Sequence, residues 1–192
     1  MTLGALCSAS AAQTITAWTF EGNVTTPSTG SGSAVPIGGT TAGFADGHSS
    51  GRGWNTANYP AQSTGYGTGG VQFNVSTLGY DLITISYDHL ASARASRWAE
   101  LQYTLNRNAP APDWVTYDSN GGSLSPSDTF TANFYDLSNV PGVENNAAFA
   151  FRIAPAPTAC EGAPTILPGP GSSTMSWSAP WRFPSPNQAP CR

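Results

Sequence analysis

The chain has 192 residues, enough for one domain with a sizeable core. Apolar residues make up 39% and charged residues only 9%, against roughly 25% charged in an average globular chain. Net charge is −4 and all seven basic residues are arginine, so no basic stripe exists to neutralise phosphates and a nucleic-acid binder is excluded.

The uncharged surface must be covered by Ser, Thr, Asn, Gln and Gly, which suits an extracellular setting. The first segment, residues 1–12, reads as the remnant of a truncated secretory signal peptide. Ala9-Ser10-Ala11 supplies a small-residue cleavage signal, although the basic start is missing and the apolar stretch is short. Leu6 occupies the place before Cys7 where lipidation needs a small residue, so a lipoprotein is not expected. No run approaches the roughly 20 apolar residues of a membrane helix, and membrane insertion is not expected either.

A β-sandwich domain is expected over 13–154. Residues 15–20 open it, followed by strands at 71–75, 82–87, 99–105 and 147–153. Gly70-Val71-Gln72-Phe73-Asn74-Val75-Ser76 alternates apolar and polar side chains. Ala147, Phe149, Phe151 and Ile153 share one side of their run, as do Ala99, Leu101, Tyr103 and Leu105, with Glu100, Gln102 and Thr104 outward. A period of two means strands with one buried face, and runs separated by Gly, Asn, Ser and Pro clusters mean an antiparallel all-β domain. Segments 114–117 and 130–137 read as further strands, and 35–37 and 42–44 as short ones. The expected core is Trp18, Phe20, Phe73, Val75, Ile83, Ile85, Leu101, Tyr103, Phe149 and Phe151, with Trp98 also read as framework.

Residues 22–34 and 45–70 are Gly-, Ser- and Thr-rich and read as long loops. From Pro155 alternation disappears and prolines recur to Pro190, so 155–192 reads as a Pro-rich tail, disordered or aberrant, without a regular strand. With Cys7 removed, Cys160 and Cys191 leave an even number of cysteines in the mature chain. An oxidising compartment favours a disulfide between them over two free thiols.

Segments along 14–153 resemble a family of secreted bacterial jelly-roll-like β-sandwich domains found in exported proteins with a PEP-CTERM sorting signal. They are Ala17-Trp18-Thr19-Phe20-Glu21, Gly70 to Tyr80, Ile83-Thr84-Ile85-Ser86-Tyr87-Asp88, Leu101-Gln102-Tyr103-Thr104, and Asp136 to Asn146 running into Phe149-Ala150-Phe151-Arg152-Ile153. The resemblance implies a sandwich fold, export, and a binding or structural role. It brings no catalytic residues.

Asp88 and Glu100, on successive strands, are the carboxylates a glycosidase reading would pair, and the expected answer is that neither is catalytic. His48 and His89 are read as surface residues, because a zinc site wants three or four N/S ligands. A structural calcium is compatible with the loops, with Asp46, Asp81, Asp118 and Asp128 as candidates that no spaced motif separates. The ligand hint is aromatic: Trp54, Tyr59 and Tyr66 stand in a polar Gly-rich stretch and Trp114 follows a Pro-rich turn. Sugar rings stack their C–H faces on such planes. The competing role is that these rings cover the sandwich edges, a role Trp54 fits best.

The function expected is therefore a secreted, non-catalytic module that binds carbohydrate or another extracellular matrix component. The alternatives are a surface-structural protein associating through sheet edges and a fragment of an extracellular hydrolase.

Overall fold

A computed structural model describes residues 12–48, 51–60, 65–92, 99–119, 129–156 and 175–178. The chain forms an antiparallel β-sandwich of the jelly-roll type. A short 3-10 turn at Glu21–Asn23 precedes strands β1 (Gly32–Ile37), β2 (Thr41–Asp46), β3 (Arg52–Ala57), β4 (Gly70–Val75) and β5 (Thr84–Ala91). Strands β6 (Ala99–Thr104), β7 (Val115–Ser119), β8 (Thr131–Asp136), β9 (Ala150–Pro155) and β10 (Met175–Ser178) follow. Two five-stranded sheets result, in the orders β1-β4-β9-β6-β7 and β2-β3-β10-β5-β8.

The chain passes repeatedly from one sheet to the other, first at Gly38-Gly39 between β1 and β2. Both glycines have positive φ, and a Cβ at Gly38 would stand 1.7 Å from the Thr68 carbonyl oxygen, so no side chain fits there.

Between the sheets lies a continuous aromatic core. Phe73 of β4 stacks on Phe151 of β9 with centroids 5.0 Å apart and meets Trp18 and Trp54 edge-on at 5.1 and 6.0 Å. Val71 and Val75 flank it on the same face of β4, while Gln72 and Asn74 point out. The alternation visible in the sequence thus places one face of each strand inside. Every described residue named for the core is buried except Tyr103, which is half-buried and packs against the cluster.

Three segments depart from expectation. Residues 15–20 do not form a strand. Ile15, Ala17, Trp18 and Phe20 are buried, but the backbone makes isolated bridges at Ala17, to Thr29, and at Trp18 instead of a strand. The stretch read as a loop over 45–70 contains β3, whose Trp54 and Thr56 point inward while Gly53 and Asn55 weaken the pattern.

The boundary drawn at 154 also needs correction. Met175–Ser178, inside the segment read as lacking any regular strand, pairs with β3 on one side and β5 on the other. Pro170 and Pro180 bracket this strand and none interrupts it, so its ladder donors are intact. Residues 1–11, Trp98, Asp128, Cys160 and Cys191 lie outside the described residues, and with them the signal remnant and the disulfide.

Candidate functional site

The outer face of the first sheet carries an ordered row of polar side chains. The pairing registers set Val35 (β1) opposite Gln72 (β4), Gln72 opposite Arg152 (β9), Arg152 opposite Gln102 (β6), and Gln102 opposite Thr116 (β7). Directly opposed residues point to the same side, so these five form a line across the whole sheet. With strands about 4.8 Å apart the line is about 19 Å long. A second line runs Ser33, Asn74, Ala150 and Thr104.

These groups face away from the core, yet the middle of the row is shielded: Gln72 and Arg152 are half-buried, and only the ends at Val35 and Thr116 are exposed. Glu100 is 7% exposed and Gln102 8%. Buried polar groups need partners, and these have them. Arg152 Nε donates to Gln102 Oε1 at 2.5 Å, and Gln102 Nε2 donates to Glu100 Oε1 at 2.5 Å and to Thr116 Oγ1 at 3.3 Å. The Thr116 hydroxyl donates to Glu100 Oε2 at 3.2 Å. On the β1 side Gln72 Nε2 donates to Asn74 Oδ1, and Asn74 Nδ2 to Ser33 Oγ.

Burial pushes the Glu100 carboxyl above its usual range, and the Thr116 bond, Arg152 and Gln102 offset part of that. Burial likewise lowers Arg152, with Glu100 opposing. The floor therefore carries one cation and one anion and is close to neutral.

Two loops wall the row. The loop before β4 brings Gly67 over the floor: a Cβ there would sit 3.3 Å from Gln102 Nε2 and 3.4 Å from an Arg152 Nη. Its neighbour Tyr66 is 41% exposed. On the other side the loop before β7 sets the Trp114 ring against the Arg152 guanidinium, 4.2 Å from the ring centroid. That loop is pinned by Arg107, which donates through Nη1 to the Phe149 and Val75 carbonyls and through its backbone amide to Ala148. The result is a groove with hydrogen-bonding groups on the floor, the Trp114 ring on one side and the Gly67 loop, which carries the exposed Tyr66, on the other.

Of the four aromatics named from sequence, Trp114 lies against the floor at Arg152 and Tyr66 stands on the adjoining loop next to Gly67. Trp54 does neither: it is fully buried and stacks on Phe20 at 5.6 Å, because it sits on the inward face of a strand. Tyr59 is half-buried against the core, with its hydroxyl 2.6 Å from Thr56 Oγ1, and burial raises its pKa strongly. It covers the sandwich, which corrects its reading as a ligand residue.

Asp88 and Glu100 lie on different sheets and both face outward, so the sandwich thickness separates them. Sheets pack about 10 Å apart. Asp88 accepts from His48 Nδ1 at 2.8 Å, and the His48 ring stacks on Phe130. His89, read as a surface residue, is instead buried inside β5. Among the described residues no three His, Cys, Asp or Glu side chains gather as a metal site. Asp46 pairs with Arg52, and neither Asp81 nor Asp118 joins it.

Sequence reasoning missed the groove's floor. Glu100, Gln102 and Arg152 each occupy an outward phase, which in the sequence alone is indistinguishable from a solvated position. A mark was present in their type: large hydrogen-bonding side chains on three central positions of an otherwise small-residue surface.

No family model matches the chain, and no curated protein does. Solved structures do. The C-terminal family 22 carbohydrate-binding module of Clostridium thermocellum Xyn10B aligns over 92% of this chain and 97% of its own, with TM-score 0.60 and 11% identity. The CBM22-1 xylan-binding domain of Paenibacillus barcinonensis Xyn10C aligns over 94% and 100%, with TM-score 0.56 and 10% identity. The family 11 module of C. thermocellum, solved with a β-1,3-1,4-mixed-linked tetrasaccharide, aligns over 93% and 100%, with TM-score 0.57 and 12% identity. At such identities the likeness establishes the β-sandwich fold.

Proposed function

We propose that this domain is a secreted, non-catalytic module that binds a neutral polysaccharide in the groove on its first sheet. The observation that carries the reading is the row Gln72-Arg152-Gln102-Thr116, buried at Gln102 and flanked by Trp114 and the loop that carries Tyr66. A sugar polymer offers ring faces to the aromatics and hydroxyls to amides and a guanidinium. A near-neutral floor suits an uncharged chain, and an open groove about 19 Å long accommodates internal sugar units as well as an end. The fold shared with modules that bind xylan and a mixed-linkage glucan supports the same class of ligand.

A panel of xylan, mixed-linkage β-glucan, cellulose and mannan, read by affinity electrophoresis and calorimetry, tests it. Trp114→Ala and Arg152→Met should each weaken binding about tenfold or more, since each removes one anchoring group worth roughly 1.5–3 kcal/mol. Melting temperatures should stay near wild type for Trp114→Ala. No binding to any member of the panel would overturn the reading. A parallel loss of binding and stability in Trp114→Ala would assign that ring a covering role instead.

One observation favours association between copies as a second reading. Phe134 on the edge strand β8 is 68% exposed. Concentration-dependent sedimentation abolished by Phe134→Asp would carry it.

A further inference from the structure

We propose that Glu100 is a positioning residue: while ionised it holds the Gln102 amide in one orientation, and that amide holds the Arg152 guanidinium in the presentation that meets the glycan. The proposal rests on the groove being the glycan site.

The argument turns on the two unlike ends of an amide. Gln102 Oε1 takes the Arg152 Nε proton, while both Nε2 protons go to Glu100 and Thr116. Turned around, the amide would put Oε1 against the Glu100 carboxylate and Nε2 against the Arg152 Nε–H. Both ends would repel. The Glu100 charge therefore selects the orientation, and the orientation fixes where Arg152 Nε is anchored.

With Nε committed and the guanidinium lying over Trp114, the Nη nitrogens are left for a ligand. Among the described residues neither has a hydrogen-bond partner. A guanidinium whose plane and one donor are fixed loses less freedom on binding.

Protonating Glu100 removes the charge from this relay. The Gln102–Glu100 bond drops from charge-assisted to neutral strength, about half. The charged group facing Glu100 is Arg152 on β9, and β7 offers the neutral Thr116. Asp118 on β7 acts instead on Tyr87, Tyr117 and Tyr135. Because burial holds the Glu100 carboxyl above the usual carboxylate range, the relay weakens at a pH where exposed carboxylates are still ionised.

The experiment uses the full chain with xylohexaose and a mixed-linkage glucan tetrasaccharide as probes. Wild-type affinity should fall about tenfold on acidification through the Glu100 titration, the scale of one charged hydrogen bond. Glu100→Gln at neutral pH should show the weakened affinity and no such step. Thr116→Val deletes a bond that lowers the Glu100 pKa, so the step should move to higher pH. Equal affinity and an equal pH profile in Glu100→Gln would overturn the proposal.

A ligand-free readout separates this result from the parent reading. The Arg152 Nε–H resonance should shift with Glu100 ionisation in wild type and be displaced and pH-independent in Glu100→Gln. An Arg152 signal indifferent to pH and to Glu100→Gln overturns the positioning role even if glycans bind. Absence of glycan binding with the signal behaving as expected overturns the site and keeps the relay.

Discussion

Phe73→Ala is expected to destabilise the domain by about 3–5 kcal/mol. Phe73 is fully buried at the middle of β4 and touches three other aromatic rings, Trp18, Trp54 and Phe151, from both sheets and the N-terminal segment. Its removal forfeits the transfer energy of the ring and leaves a cavity that three rigid neighbours cannot collapse into. Each lost ring pair adds roughly 0.5–1.5 kcal/mol beyond burial. Total stability of such a domain is about 5–15 kcal/mol, so the variant should lose a large part of its folded margin. Phe134→Ala is the control. The same deletion at a position 68% exposed should change stability by less than about 0.5 kcal/mol. Urea titration of both variants checks this. A Phe73→Ala midpoint equal to that of Phe134→Ala would mean that the sheets do not meet around Phe73.

The sandwich was legible because burial on one face imposes a period of two, and that period survives where a strand of five or six residues alternates apolar with polar side chains. β4 and β6 were read nearly to their ends for this reason, and β5 and β9 in position but with ends displaced by two to four residues. β3 was not, since Gly53 and Asn55 are residues that strands disfavour, and Trp54 and Thr56 alone do not make a pattern. β10 has four residues, too few for alternation to register; its place is decided by the edges of β3 and β5 on either side. The opening segment failed in the opposite sense. Ile15, Ala17, Trp18 and Phe20 are apolar because they cover the core, and burial without a ladder looks like a strand in one dimension.

The candidate site was half legible. Tyr66 and Trp114 stood out as rings among polar loop residues. The floor between them did not, because what makes Gln72, Arg152, Gln102 and Thr116 a site is a register joining residues from four strands. Outwardness could be read from phase. Sequestration could not, since it depends on loops crossing the face, such as the one that brings Gly67 over Arg152.

Acid should destabilise this protein through His89, by about 3 kcal/mol at pH 4 relative to neutral pH. His89 lies on the inward face of β5, is fully buried, and its pKa is lowered by burial from 6.5 to about 3. The imidazolium is poorly tolerated there because a desolvated cation loses its hydration. The sign follows from proton counts. Below the unfolded pKa the unfolded chain binds a proton that the folded chain refuses. Stability contributed by the neutral ring is therefore complete above pH 6.5 and is lost progressively as pH falls toward 3. Asp136, held below its ordinary value by bonds from Ser138, adds a loss of the same sign at lower pH. Glu100, raised by burial, opposes it. Both remain in His89→Gln, whose neutral amide cannot titrate, so they cancel in the difference between the two proteins. The measurement is unfolding free energy in urea from neutral pH to pH 4 for wild type and His89→Gln. His89→Gln is expected to start less stable, because an amide replaces a packed ring, yet to show the shallower acid limb. Identical slopes in the two proteins would mean that His89 accepts its proton in the folded state, and hence that the inner face of β5 is open to water at that point.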